Sequence, residues 1–281
     1  MSDITLINDS EQSSLVTNGL AKNGELYLKK AGSTDAGSIV VYDSGSWRTF
    51  ANEANSGAWN GNTYSVDLDG SNDYVEVGNV SGLTGNSFSI SAWFYLTSNP
   101  SGEGIFGAGS SSSNRVWLQV LDSNTIRFGS LGNINTFDLS SGTFSLNTWY
   151  HVVGVISGTS KEVFIDGSSL GTASVSSLSG TNGNSVRIGA LPSQTSAFGA
   201  LNPYQGLLDE VSVFNTALSS SNVATIYNSG SPADISSLNP LGWWRMGDND
   251  SGTGTTITDQ GSGSNDGTLT NGPTFSTTVP S

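Results

Sequence analysis

The sequence predicts an all-β protein whose strands pack as an antiparallel β-sandwich. Glycine is frequent (36 of 281 residues), and alternating apolar and polar residues fill the segments between the turns. Gly and Asn accept the positive φ of tight turns, so short strands joined by such turns give this composition. The 7 Trp, 8 Tyr and 11 Phe distinguish the chain from a disordered Gly/Ser-rich segment and supply a core.

The middle of the chain, from about 62 to 230, is predicted to hold most of the strands. The clearest is 88–96, where Phe88, Ile90, Ala92 and Phe94 share one face. Turn residues separate the others at sandwich-like spacing, and Asp166-Gly167 is a hairpin signal. One helix is predicted over 218–227, capped by Ser219 or Ser220 and ended by Gly230. The other predicted strands are 64–68, 74–77, 115–121, 125–128, 149–156, 162–165, 186–189 and 207–214.

Residues 1–58 are predicted to form a separate N-terminal β segment, and residues 59–281 the sandwich. The N-terminal segment has strand candidates at 24–28 and 38–42, followed by a turn into 47–50. So few short strands do not make a stable core alone. We therefore expect this segment to dock on the sandwich, on a sister chain or on a larger assembly.

Charge and composition exclude several classes of partner. The net charge is −14 with only 9 Lys and Arg, which argues against nucleic-acid binding. There is no Cys, so no disulfide staples the fold. The first residues lack the basic and apolar stretches of a signal peptide, and no apolar run is long enough to span a bilayer. We expect a soluble chain made in a host cytoplasm without secretion or membrane insertion.

Five segments in the middle of the chain together resemble a known family. They lie in one order along the chain, at 66–75, 88–94, 149–153, 163–167 and 206–219. Each is a weak signal alone, but their shared order is similar to that of the laminin-G-like family of concanavalin A-like domains. The resemblance implies a concanavalin A-like sandwich of the jelly-roll type.

The C-terminal residues 240–281 suggest a changed strand order. Residues 242–248 and 258–269 look like the family's opening strand and loop, which in the usual order precede Val66. First and last strands are neighbours in such sandwiches, and the termini of compact domains often lie close together. We therefore predict a circularly permuted sandwich in which residues 240–281 supply the closing strand. The alternative is the beginning of a second domain.

The N-terminal segment resembles a second group of proteins at 23–27, 37–42 and 46–53. These pieces are similar to virion-anchoring segments of tailed-phage structural proteins, especially those of marine phages. The resemblance implies a tail fibre, head fibre or capsid-decorating knob at the particle surface. Residues 1–58 would bind other virion proteins, and the chain would be a homo-oligomer, a trimer by preference. Its role would be adhesion to host-surface glycans or stabilisation of the particle.

Two other functions stay open, namely a free carbohydrate-binding lectin and a glycoside hydrolase. A glycosidase needs two carboxylates across a cleft. Asp67 and Asp69 share a strand face but enter a turn, whereas Asp209 and Glu210 point to opposite faces. His151 is the only histidine and has no nucleophile signature beside it, so we interpret it as structural. We therefore predict that the protein is not an enzyme.

Asp209 is the strongest candidate for a metal ligand. Alternation places it with Leu207 and Val211 on an apolar face, where a carboxylate is costly unless it is paired or bound to a cation. No Arg or Lys is nearby in the sequence, and calcium prefers oxygen ligands. The family resemblance agrees with a calcium site here, with Asp69, Asp248 and Asp259 as candidate partners. The alternative is that Asp209 caps a backbone N–H at a bulge.

Exposed aromatic residues are the candidates for glycan binding. Trp93 and Tyr95 lie on the strand face opposite Phe88 and Ile90, and Trp117 is placed similarly on its own strand. An exposed aromatic pair can stack on sugar rings. The alternative is that these side chains pack under loops.

Overall fold

The fold was analysed in a computed structural model. It describes residues 5–7, 26–29, 39–43, 46–51, 61–111, 114–131, 134–140, 142–175, 185–191 and 202–281. The chain divides into two compact units, Met1–Asn60 and Gly61–Ser281.

The N-terminal unit contains a four-stranded sheet in the order β1-β2-β3-β4. The two predicted strands correspond to β2 and β3, although Gly24, Glu25 and Ser38 lie outside the described residues. Strand β1 was not predicted and pairs parallel to β2, whereas the other pairs are antiparallel. The strands are β1 (Thr5–Ile7), β2 (Leu26–Lys29), β3 (Ile39–Asp43) and β4 (Ser46–Ala51).

The second unit is a sandwich of two antiparallel sheets, which confirms the predicted fold class. In chain order its strands are β5 (Ser65–Asp69), β6 (Tyr74–Gly78), β7 (Ser87–Leu96), β8 (Glu103–Ser111), β9 (Asn114–Asp122), β10 (Thr125–Leu131), β11 (Ile134–Ser140), β12 (Trp149–Ser157), β13 (Ser160–Ile165), β14 (Ser168–Ser174), β15 (Val186–Ile188), β16 (Gln205–Phe214), β17 (Gly242–Trp244), β18 (Thr256–Ile257), β19 (Gly267–Thr270) and β20 (Thr274–Ser276). The first sheet has the order β14-β13-β12-β7-β16-β5-β20, with β17 paired to β16. The second has the order β11-β10-β9-β8-β15-β6-β19-β18.

The main core lies between the two sheets and follows the predicted alternation. Ile90 and Phe94 of β7 are fully buried there, as are Phe106 and Leu118 of the second sheet. Burying a side chain of this size stabilises the fold by roughly 1.5–3 kcal/mol. The odd-numbered residues of β7 therefore lie on the outer face of the first sheet, the face that carries the candidate site.

The C-terminal segment contributes strands to both sheets of this sandwich. Strand β17 pairs with β16, and β20 pairs with β5 and so forms the edge of the first sheet. Strand β19 pairs with β6 in the other sheet. Residues 240–281 thus belong to the same compact unit as the rest of the sandwich, and the circular permutation stays a prediction.

One short helix, α1 (Ser220–Tyr227), covers part of the outer face of the first sheet. Ser219 caps it by accepting a hydrogen bond from the Asn222 backbone N–H. The helix ends at Tyr227 because Asn228 adopts the left-handed conformation, so the predicted end at Gly230 was too late. Val223 packs on a small apolar cluster formed by Val153, Val155 and Phe164. Two short 3-10 helices follow at Asn228–Gly230 and Ser236–Leu238.

The described ranges include no helix that is both long and apolar enough to cross a membrane.

Gly206, the glycine of β16, is expected to tolerate no side chain. Its φ is +137°, and an added Cβ would overlap the carbonyl oxygen of Tyr95 on the neighbouring strand. We expect Gly206→Ala to destabilise the sandwich by at least about 2–3 kcal/mol in urea denaturation, because the clash is with backbone. Gly142→Ala is the control, since Gly142 also has a positive φ (+87°) but no atom within 4 Å of the added Cβ. Equal losses for both variants would refute the steric explanation.

Candidate functional site

A pocket opens on the outer face of the first sheet, beside helix α1. Its volume is about 260 Å³. Strands β7 and β12 supply the floor, the turn between β13 and β14 supplies one wall, and the end of α1 supplies another. The lining residues are Trp93, Thr148, Trp149, Asp166, Tyr227, Gly230 and Ser281.

An aromatic stack forms the side of this pocket that faces the helix. The Tyr227 ring lies over Trp93, with ring centroids 5.8 Å apart, and over His151 at 6.0 Å. Gly167 allows this approach, because a Cβ at that position would lie 2.9 Å from Tyr227 Cδ1. The turn at Gly167 therefore packs directly against the ring of Tyr227, the last residue of the helix.

Asp166 places a carboxylate in the pocket wall. Asp166 and Gly167 have φ values of 48° and 75°, as a two-residue type I′ hairpin turn requires. Asp166 Oδ1 accepts a 2.8 Å hydrogen bond from the His151 backbone N–H. Among the described residues Oδ2 has no hydrogen-bond partner. Burial raises the pKa of Asp166, and the His151 hydrogen bond offsets part of that rise.

Trp149 is a partly exposed aromatic residue of the pocket, as is Tyr227. Its ring lies 5.3 Å from the ring of Tyr95, which is opposite it in the strand register. Trp149 Nε1 is buried and has no hydrogen-bond partner within the described part of the chain. Tyr227 adds a phenol to the pocket. Burial raises the pKa of Tyr227, and the charge of the nearby Asp166 carboxylate raises it further. The pocket thus combines aromatic surface with polar groups that can bind a ligand.

The structure brings together two of the three predicted glycan-binding residues. Trp93 is only 2% exposed and forms the floor, whereas Tyr95 is partly exposed beside Trp149. Trp117 lies in the other sheet, is 2% exposed and packs against Leu191, so it does not belong to this pocket.

Trp149, Asp166 and Tyr227 were not predicted from the sequence as site residues. Alternation does place Trp149 on the same strand face as His151. Its position opposite Tyr95, however, depends on the strand register, which the sequence does not give. Asp166 was identified only as a turn residue, and Tyr227 only as part of the apolar face of a helix.

His151 of β12 forms a hydrogen bond with Ser91 of the neighbouring strand β7. Ser91 Oγ and His151 Nε2 are 2.8 Å apart, a geometry also found in nucleophile–base pairs. Both side chains are fully buried, and burial lowers the pKa of His151 to about 3. A substrate cannot reach the hydroxyl in this arrangement, which supports the structural interpretation of His151.

Two of the four predicted calcium ligands, Asp209 and Asp248, lie in one buried polar cluster. Asp209 Oδ2 accepts a 2.8 Å hydrogen bond from Asn62, and Oδ1 accepts one from the Glu210 backbone N–H. The second contact lies at a β-bulge where Glu210 has a φ of 45°. Asp209 thus caps a backbone N–H at a bulge, which was the alternative to its being a metal ligand.

Arg245 supplies the positive charge of this buried cluster, which the local sequence around Asp209 did not reveal. It forms 3.0 Å ion pairs with Glu210 and with Asp248, and all three side chains are at least 95% buried. Asp248 Oδ1 also accepts hydrogen bonds from the Thr63 and Tyr64 backbone N–H groups. Burial raises the pKa of Glu210 to about 7, although Arg245 opposes that rise.

The other two predicted ligands lie elsewhere. Asp259 accepts hydrogen bonds from the backbone N–H groups of Trp243, Gly261 and Asn265, and so organises the loop before β19. Asp69 caps its own turn through Ser71. No group of three or more His, Cys, Asp or Glu in the described residues is arranged to hold a metal ion. The four residues therefore do not form one calcium site, and calcium binding by any of them stays a prediction.

Asp69 instead belongs to an acidic pocket of about 260 Å³ at the edge of the first sheet. Burial raises the pKa of Asp67 and of Asp73, and repulsion by Asp69 adds to both rises. The lining residues are Asp67, Asp69, Asp73, Asn271, Gly272 and Thr274.

The two-layer architecture defines a concanavalin A-like β-sandwich. Residues 69–224 match the Laminin_G_3 model of the concanavalin A-like lectin/glucanases superfamily, and because this match spans more than half of the chain, the chain belongs to that family. A search of curated proteins found no match.

Several solved structures are similar to this chain at low sequence identity. A candidate carbohydrate binding protein from Bacteroides ovatus is 18% identical, with a TM-score of 0.58, over 92% of this chain and 71% of that one. Domains LG4-5 of the mouse laminin alpha1 chain are 16% identical with a TM-score of 0.44, over 66% of this chain and 50% of that one. The CBM40 of a Ruminococcus gnavus sialidase, bound to sialyllactose, is 11% identical with a TM-score of 0.46, over 59% of this chain and 96% of that one.

Proposed function

We propose that this protein is a non-catalytic carbohydrate-binding protein, and that the pocket between β7, β12 and helix α1 holds the sugar. The observation that carries the proposal is the combination of Trp149 with Asp166 in one open pocket. Membership of a lectin/glucanase superfamily is consistent with it.

The chemistry of the pocket suits a pyranose ring. A sugar has an apolar C–H face and a rim of hydroxyl groups. The ring of Trp149 offers surface to the C–H face, because aromatic side chains contribute large contact areas. Asp166 offers a carboxylate oxygen, and Tyr227 a hydroxyl group, to the rim. Binding pockets commonly combine apolar walls with a few polar groups that fix orientation.

A glycan array followed by titration calorimetry tests this proposal. We expect the full chain to bind at least one class of glycan, and Trp149→Ala to lower that affinity at least about tenfold. Tyr74→Ala is the matched control, because Tyr74 is a partly buried aromatic residue on strand β6 of the other sheet. Unchanged affinity of folded Trp149→Ala, or equal losses for both variants, would contradict the assignment of the pocket.

We propose further that the sandwich is displayed on a tailed-phage particle as a tail fibre, head fibre or capsid-decorating knob. The division of the chain into two compact units supports this, because residues 1–60 form a unit of their own. The resemblance of the N-terminal segment to virion-anchoring segments points the same way. Electron cryo-microscopy of purified particles should show density for this chain as an oligomer, with a trimer expected. Absence of the chain from the particles would favour the free lectin.

A glycoside hydrolase is the competing function, and the acidic pocket is where it would act. Asp67 has a raised pKa and lies beside Asp69, and a carboxyl pair of this kind can divide the acid and base roles. We expect no release of reducing sugar from any glycan that the protein binds. Release that disappears in Asp67→Asn would overturn the proposal of a non-catalytic protein.

A further inference from the structure

We infer that the pocket of Trp149, Asp166 and Tyr227 selects uncharged sugars, with Asp166 Oδ2 accepting a hydrogen bond from a sugar hydroxyl group and carboxylated sugars excluded. This inference rests on the proposed carbohydrate-binding function and names the class of ligand for that site.

The charge of the pocket supports the selection. Asp166 is the one Asp, Glu, Lys, Arg or His side chain among the residues that line it. A sialic or uronic acid bound there would bring a second carboxylate close to Asp166, without a Lys or Arg in the described lining. In a partly buried site, like charges about 4 Å apart repel strongly enough to lower affinity by at least about tenfold. The net charge of −14 also disfavours the approach of polyanionic glycans.

The hydrogen-bonding groups of the pocket fit the same ligand. Asp166 Oδ1 is already bonded to the His151 backbone N–H, so Oδ2 remains to accept a bond from a donor. Trp149 Nε1 is buried, so the indole offers its ring surface and not a hydrogen bond to a ligand. The Tyr227 hydroxyl group can donate or accept. Sugar hydroxyl groups do both, so an uncharged sugar can bond to Asp166 Oδ2 and to Tyr227, whereas a carboxylate could not bond to Asp166.

Matched pairs of glycans test the selection directly. The probes are oligosaccharides of neutral hexoses and their counterparts of equal length and linkage built from hexuronic acids, together with lactose and sialyllactose. We expect the full chain to prefer the neutral member of every pair that binds by at least about tenfold at 0.15 M salt. We expect little salt dependence for the neutral sugars, because they carry no charge.

Two conservative variants separate the hydrogen bonds from the shape of the pocket. Asp166→Asn keeps the size of the side chain and removes its charge. It should weaken neutral sugars about tenfold, since bonds to charged acceptors are the stronger ones, and reduce the discrimination against uronic acids. Trp149→Phe keeps an aromatic ring of smaller area and should weaken neutral sugars about three- to tenfold.

The outcomes distinguish this inference from the proposed function. Glycan binding that depends on Trp149 but favours uronic or sialic acids, or that is unchanged in Asp166→Asn, would overturn the inference and leave the proposed function in place. Glycan binding that is indifferent to every pocket variant, or no glycan binding at all, would overturn both.

Discussion

Replacing Arg245 by Met is expected to destabilise the sandwich by about 3–5 kcal/mol, one of the largest losses for any single side chain here. Arg245 is 2% exposed and pairs with Glu210 and Asp248, which are themselves buried. Its guanidinium group also donates to the Gly61 carbonyl oxygen at 2.5 Å. Methionine fills similar space but leaves two buried carboxylates without their cation. The unfolding free energy of the full chain in urea, monitored by tryptophan fluorescence, measures the loss.

The exposed Arg127–Asp138 pair provides the control for Arg245. Its side chains are 24% and 38% exposed, so Arg127→Met should cost at most about 1 kcal/mol even though the pair has good geometry. Equal losses of unfolding free energy for the two variants would show that burial does not decide how much Arg245 contributes to stability.

The effect of Arg245→Met should also depend on pH. In the folded protein the pKa of Glu210 is raised from 4.5 to about 7, so this group lowers stability as the pH rises through that window. Removing Arg245 raises the folded-state pKa of Glu210 further. The variant should therefore lose more stability at pH 8 than at pH 5.5, where more of the carboxyl groups are protonated. An equal loss at both pH values would contradict this account of the cluster.

Replacing Trp93 by Ala is expected to cost about 3–5 kcal/mol of folding stability, because it empties the floor beneath the pocket. Trp93 is 2% exposed and packs between His151, at 5.0 Å between ring centroids, and Tyr227, at 5.8 Å. Removing the indole also takes away one of the two rings on which Tyr227 stacks, the other being His151. Urea denaturation of the variant gives the loss directly.

Tyr95→Ala is the comparison for Trp93→Ala, since Tyr95 lies two residues away on the same face but is partly exposed. It should cost less than half as much stability while lowering glycan affinity through its contact with Trp149. If Trp93→Ala were as stable as the unchanged protein and lost only glycan binding, Trp93 would be an exposed platform, contrary to its burial.

The periodicity of the sequence was sufficient to predict the sandwich and the core face of β7. Strict alternation fixes which residues share a face, and Phe88, Ile90, Ala92 and Phe94 all reach the core. The same rule placed Trp93 and Tyr95 correctly on the outer face. It could not show that helix α1 covers Trp93 and leaves Tyr95 partly exposed, because that depends on how a distant segment packs.

The surroundings of Asp209 show the limit of local sequence arguments in another way. The sequence identified a buried carboxylate that needs compensation, and the structure does bury Asp209 completely. The compensation comes from Asn62, and from Arg245 in its ion pairs with Glu210 and Asp248. Asn62 and Arg245 are both distant in sequence from Asp209. Strand pairing between β16 and β17 brings these groups together, and a search for cations near Asp209 in the sequence could not find them.

The crystal structure of the full chain soaked with its tightest-binding neutral oligosaccharide tests the central claim most directly. The account predicts a sugar ring against Trp149, with a hydroxyl group within hydrogen-bonding distance of Asp166 Oδ2. Sugar density in the acidic pocket of Asp67, Asp69 and Asp73, or against the sheet that carries Trp117, with the pocket at Trp149 free of sugar, would contradict it.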